Sequence, residues 1–205
     1  MKIPEIIIYD FDGVICDSVN IKTDAFIELY RSYGKEIQSK VRTYHLENGG
    51  ISRYQKFRFF ESQILGKKVS ESRINDLADR FSALVKKKVI SSKYIPGAIE
   101  FISKNKNKRQ FICTGTPENE ILEIIREKRI DTYFERVYGS PSTKTSIIKT
   151  IINECNISLD EYLFFGDAMT DYYAARECKI KFVGVQNNIN HSIFPKGTIV
   201  INNFL

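Results

Sequence analysis

Ile6-Ile7-Ile8-Tyr9-Asp10-Phe11-Asp12-Gly13-Val14 is the stretch that decides the fold. A short run rich in Ile reads as a buried strand rather than a helix. It delivers two carboxylates, and a glycine follows at once. Extended residues at i and i+2 point the same way, so Asp10 and Asp12 face one ligand. Gly13 lets the chain turn where a side chain would obstruct it. Paired carboxylates repel unless a divalent cation or a shared proton compensates them. The plainer alternative is a strand ending in a solvated, Asp-rich turn. It weakens as the rest of the chain is read.

Outward from that strand, the texture changes. From Asp17 to about Ser92 the pattern is helical, with no convincing strand. Val19 to Tyr33 has apolar residues at helical spacing, with Gly34 as a stop. A polar-aromatic segment then leads to the turn Asn48-Gly49-Gly50. Tyr54, Phe57, Phe60, Ile64 and Leu65 mark another amphipathic helix, ending near Gly66. Ser70 to Lys88 is a further one. After Tyr94, strands and helices alternate. Gln110–Thr114 reads as a strand stopping at Gly115, and Pro117 opens a helix. Arg136–Gly139 and Tyr162–Gly166 are strands, with Thr143–Cys155 a helix between them. A helix around Asp171 to Cys178 follows, then strands at Ile180–Val185 and Thr198–Ile201.

Alternating strands and helices predict a parallel sheet with right-handed crossovers. The fold class expected is therefore α/β: a Rossmann-like parallel sheet core with an inserted α-helical cap domain. The expected boundaries are 1–16 and 93–205 for the core and 17–92 for the cap. Open parallel sheets bind ligands beyond the carboxyl ends of their strands. The polar residues at those ends are Asp10 and Asp12, then Thr114 to Thr116, then Ser140 to Lys144, then Asp167 and Asp171. The helical stretch leaves the sheet just after the first of these groups, so it would stand over the site as a lid.

These groups suit phosphoryl transfer. Asp10 is placed as a nucleophile toward phosphorus, and Asp12 as the acid for the leaving oxygen and then the base for water. Thr114 and the amides after it, Gly115 included, suit phosphate oxygens. Lys144 brings a positive charge to the phosphoryl group. Asp167 and Asp171 add oxygen ligands for a hard cation, with Mg²⁺ the natural candidate.

In order along the chain, Asp10-Phe11-Asp12-Gly13-Val14, Thr114 after a strand, Lys144, and Gly166-Asp167-Ala168-Met169-Thr170-Asp171 resemble the four motifs of the haloacid dehalogenase superfamily. The resemblance covers almost the whole chain and looks like the branch of phosphoglycolate phosphatase and β-phosphoglucomutase, which has a small helical cap after its first motif. It implies Asp10 as nucleophile, Asp12 as general acid/base, and Thr114 and Lys144 as phosphate holders. It implies Mg²⁺ bound by Asp10, the backbone carbonyl of Asp12, and Asp167, with Asp171 a ligand directly or through water. The second Asp also implies phosphoryl transfer rather than dehalogenation.

Composition agrees with an enzyme of this kind. The chain has 205 residues, 42% of them hydrophobic and 27% charged, ordinary values for a globular protein. No apolar run approaches the ~20 residues that span a bilayer, and no signal-peptide pattern opens the chain, so a cytoplasmic location is expected. The net charge of +6 is spread along the chain without a nucleic-acid-binding module. Cys16, Cys113, Cys155 and Cys178 are scattered and read as free thiols. His45 and His191 read as structural or exposed.

The cap should select the substrate, and Arg53, beside the Gly49-Gly50 turn, is the first candidate to touch its non-phosphate part. The expected partner is a small phosphorylated metabolite, with no nucleic acid and no membrane, acting on a monomer or homodimer. The leading activity is a Mg²⁺-dependent phosphatase acting on phosphoglycolate or a sugar phosphate through an aspartyl phosphate. A phosphosugar mutase shares that chemistry, and a non-catalytic binding protein on the same fold would not need both Asp10 and Asp12.

Overall fold

In a computed structural model, which describes residues 3–187 and 191–205, the strand β1 (Ile6–Tyr9) occupies the middle of a parallel sheet. Its residues are buried on both faces, which is why the run is unbroken Ile rather than alternating. The other strands are β2 (Arg109–Pro117), β3 (Arg136–Ser140), β4 (Tyr162–Gly166), β5 (Lys181–Val185) and β6 (Ile199–Ile201). Their order is β3-β2-β1-β4-β5-β6, every pairing parallel. β1 lies between β2 and β4, with Tyr9 level with Ile112 and Phe165. The residues that follow these three strands therefore share one edge of the sheet.

The helical stretch between β1 and β2 holds α1 (Val19–Leu29), α2 (Lys35–Glu47), α3 (Arg53–Phe59) and α4 (Glu71–Ser91). The chain leaves and returns at one place: Asp17 N–H donates to the Lys93 carbonyl at 2.9 Å, and Cys16 bridges to Tyr94. Ser70 caps α4, its hydroxyl accepting from Arg73 N–H. The insertion has an aromatic centre, with Phe57 set edge-on to Phe26, Phe60 and Phe81. No helix among the described residues is long and apolar enough to cross a membrane.

α5 (Ala98–Lys104), α6 (Glu118–Glu127), α7 (Lys144–Cys155) and α8 (Met169–Glu177) complete the crossovers. Thr143 caps α7 through its hydroxyl, which puts Lys144 at the first helical position. The four cysteines are free and buried, and His191 is exposed.

Two elements differ from the sequence reading. α3 does not run as one α-helix to Gly66 but widens into a π-helical turn at Phe60–Ile64. The widening turns both Phe60 and Glu61 inward, where Glu61 accepts from the Tyr30 hydroxyl at 2.9 Å and pairs with Arg73. Such a pairing has no signature in hydrophobic spacing. β2 also continues through Gly115 to Pro117, with its register on β3 shifted between Cys113 and Pro117. The carbonyl of Gly50 comes so close to Gly115 that a Cβ there would lie 2.7 Å from it. That glycine marks a close approach rather than a strand end.

Truncating Phe57, which is fully buried, should destabilise the protein by about 3–5 kcal/mol. Urea unfolding of Phe57→Ala measures this. A loss below about 1 kcal/mol would mean that the aromatic centre is loosely packed.

Candidate active site

The C-terminal ends of β1 and β4 bring Asp10, Asp167 and Asp171 together. One carboxylate oxygen from each lies within 4.8 Å of the others. Asp10 is fixed at both oxygens: Phe11 N–H donates to Oδ1 at 2.6 Å, and Lys144 Nζ donates to Oδ2 at 2.6 Å. Lys144 also pairs with Asp171, whose Oδ2 accepts from Ala168 N–H at 3.1 Å and so caps α8. Gly166 leaves room for this cap, since a Cβ there would lie 2.3 Å from that of Asp171.

Lys144 is buried. Burial opposes its charge, but Asp10 and Asp171 outweigh that and hold the ammonium above its usual range. One ammonium does not satisfy three carboxylates. Burial, then Asp10 and Asp171, push the Asp167 carboxyl well up. Burial also raises Asp171, a rise that Lys144 only partly offsets. No donor among the described residues reaches Asp167, whose Oδ2 lies against Gly13, 2.2 Å from where a Cβ would stand. An oxygen-only donor set with uncompensated negative charge fits a hard divalent cation such as Mg²⁺.

Asp12 is set apart from this cluster. Its Oδ1 accepts from the Ser18 hydroxyl at 2.5 Å, and its Oδ2 from Lys22 Nζ at 2.5 Å. Burial raises its carboxyl, but Lys22, Ser18 and Lys144 together bring it below the usual range. Lys22 also donates to the Thr116 hydroxyl at 2.6 Å. Two carboxylates two residues apart therefore sit in different surroundings: Asp10 is locked between a backbone amide and Lys144, and Asp12 is held by α1.

A cavity of about 410 Å³ lies between this edge and the insertion. Asp10, Asp12, Thr114, Gly115 and Asp167 line it from the sheet edge, and Lys22, His45, Arg53 and Lys56 line it from the insertion. Thr114 is buried, with its hydroxyl accepting from Thr116 N–H at 3.3 Å. Lys144 and Asp171 stand behind Asp10 rather than on the cavity wall. The turn at Gly49-Gly50 closes down on the sheet edge: the Thr170 hydroxyl donates to the Gly49 carbonyl at 2.6 Å, and a Cβ on Gly50 would lie 2.9 Å from Lys144 Nζ.

A model of the haloacid dehalogenase-like hydrolase family matches residues 7–185. The chain belongs to this family. Among curated proteins, the hydrolase is similar to a phosphorylated carbohydrates phosphatase of Thermotoga maritima, 26% identical over 200 residues that cover 91% of this chain and 87% of the relative. It is also similar to phosphoglycolate phosphatase 1 of Pseudomonas aeruginosa, 23% identical over 93% of this chain and 72% of the relative. In fold it is similar to a crystal structure of a predicted phosphoglycolate phosphatase from Haemophilus somnus, with a TM-score of 0.76, 17% identity, and coverage of 100% and 96% of the two chains.

Arg53 lines the cavity, with its guanidinium already partnered. Its guanidinium forks onto Glu120 of α6 at 2.6 and 2.8 Å, contacts Ser82 of α4, and lies over the Phe81 ring. Its Nη1 and Nη2 donors make an ion pair that joins the insertion to the sheet layer. Both side chains are nearly sealed, at 3% and 8% exposure. Sequence reasoning missed Glu120, Lys22 and Ser18, placed Lys56 only as a second cation of the turn segment that holds Arg53, and read His45 as structural or exposed. For Ser18 and Lys22 a signal existed: Ser18 is the residue that precedes α1 and Lys22 lies four residues on, one turn apart on the same side.

Arg53→Ala would leave Glu120 buried and unpaired, which should cost about 3–5 kcal/mol in chemical unfolding. The double variant Arg53→Met/Glu120→Met should recover most of that loss. A single variant as stable as the parent would show that the pair does not join the two layers.

Proposed function

We propose that this hydrolase is a Mg²⁺-dependent phosphatase that cleaves the phosphate monoester of a small metabolite, phosphoglycolate or a sugar phosphate, through an aspartyl phosphate on Asp10. The observation that supports this most is the fixing of Asp10. One of its oxygens is tied to a backbone amide and the other to Lys144, so the carboxylate is oriented before substrate arrives.

In the reaction, an Asp10 oxygen attacks phosphorus and the bond to the leaving oxygen breaks. Asp12 enters this step protonated, its lowered pKa making it a strong acid, and gives that oxygen its proton. With the alcohol gone, Asp12 takes a proton from water, which attacks phosphorus and frees Asp10 and inorganic phosphate. Ser18 and Lys22 hold Asp12 in place through both steps. Lys144 steadies Asp10, and Thr114 with the amides after it accommodates phosphate oxygens. Mg²⁺, held by Asp10, Asp167, Asp171 and the carbonyl of Asp12, would supply positive charge for the phosphoryl oxygens. The insertion acts as a cap over residues 17–92, keeping bulk water from the cavity while Asp10 reacts.

The test is phosphate release from a panel of phosphoglycolate, pentose and hexose phosphates and p-nitrophenyl phosphate, with Mg²⁺ and with EDTA. Release should require the metal. Asp10→Asn should lower it on the order of 10⁴-fold or more while leaving the far-ultraviolet circular dichroism unchanged. Substantial activity in Asp10→Asn, or isomerised product without phosphate release, would overturn the reading.

A further inference from the structure

Arg53, Lys144 and Lys56 are the buried basic side chains among the described residues. Arg53 is answered by Glu120, and Lys144 by Asp10 and Asp171. Lys56 is answered by no carboxylate within ion-pair distance. Its Nζ lies 2.7 Å from Nδ1 of His45, 3.5 Å from the His45 carbonyl oxygen, and 5.5 Å from the centre of the Phe26 ring. Lys56 is 3% exposed and His45 7%, yet both line the cavity that Asp10 and Asp12 line from the sheet edge.

The pair is arranged as a donor site. An ammonium at Lys56 donates to Nδ1, so the imidazole keeps its proton on Nε2. Burial and the neighbouring Lys56 lower the His45 pKa to about 3, so the ring is neutral. His45 Nε2 is sealed from solvent and has no hydrogen-bond partner. Burial, then Lys22, lower the Lys56 pKa to about 7. A buried ammonium with only a neutral imidazole beside it is unfavourable until an anion arrives. The acids that favour its charged form, Asp12 and Asp167, belong to the sheet edge and are not in contact with it.

We propose that Lys56, backed by His45, is the subsite for a second acidic group on the substrate, so that the half of the monoester that leaves as the alcohol itself carries a carboxylate or a further phosphate. This rests on the phosphatase reading above. Asp10 fixes where the reacting phosphoryl group goes, and Lys56, from the insertion, lines the same cavity. A neutral sugar there would leave the ammonium buried without a counter-charge. An acidic group supplies that charge and removes the cost of burying Lys56.

Matched esters test this. Phosphoglycolate is paired with ethyl phosphate, and fructose 1,6-bisphosphate with fructose 1-phosphate, with p-nitrophenyl phosphate as the reference for catalysis. In the parent enzyme, kcat/KM should favour the acidic member of at least one pair by about 10- to 100-fold, the range of a hydrogen bond to a charged group. The pair with the larger preference names the acid. Lys56→Met and Lys56→Gln should erase the preference, mostly through KM. Equal kcat/KM within both pairs in the parent would overturn the proposal without any variant. So would variants that lower both members of a pair equally. Failure of the phosphatase reading is a separate outcome, seen as no phosphate release from any ester. Calorimetry on the parent protein and Lys56→Met then decides the subsite: tighter, Lys56-dependent binding of the acidic member supports it, and equal binding within the pairs overturns it.

Discussion

The gathering of three carboxylates around one ammonium is the constraint on which the rest of this structure depends. Asp10, Asp167 and Asp171 meet at the sheet edge, and Lys144 pairs with two of them. Left alone, like charges at this range repel strongly in a buried site. The fold tolerates the cluster because rigid elements hold it: β1 delivers Asp10, the cap of α8 holds Asp171, and the first residue of α7 is Lys144. The negative charge left over suits a divalent cation and, with it, a phosphoryl group. Stability and function pull in opposite directions here, and the buried sheet supplies the difference.

The insertion solves the complementary problem of covering this charged edge. Polar contacts join it to the sheet layer, beside a buried apolar cluster that runs from Phe26, Phe57 and Phe81 to Ile121, Ile112 and Tyr9. Lys22 reaches Asp12 and Thr116, Arg53 reaches Glu120, and the Gly49-Gly50 turn rests on Thr170 and Gly115. Small residues at that turn let two backbones meet, where a side chain would hold them apart. The aromatic centre of the insertion belongs to a buried cluster that continues into the sheet layer.

Much of this was legible in the sequence. The apolar run Ile6–Ile8, the glycines after the strands and the separate helical stretch predicted a parallel sheet with an insertion after β1. Asp10, Asp12, Thr114, Lys144, Asp167 and Asp171 were singled out because each follows an apolar run, and parallel topology brings such residues to one edge. What was not legible depended on long-range partners. Arg53 read as a free cation because Glu120, on a distant helix, gave no sign of facing it. Lys56 and His45 sit on amphipathic helices whose polar residues default to solvent, and only the tertiary packing turns them inward. The π-helical turn at Phe60 follows from burying Glu61 with Tyr30 and Arg73, a pairing that local periodicity does not encode.

Trapping the covalent intermediate tests the central claim most directly. The protein would be mixed with Mg²⁺ and a hydrolysed monoester, quenched in acid within the first turnover, digested, and read by mass spectrometry. The account predicts one phosphoryl group on the peptide that contains Asp10, and none in the Asp10→Asn variant. Phosphate release with no phosphorylated peptide at any quench time would contradict it and point to direct attack by water.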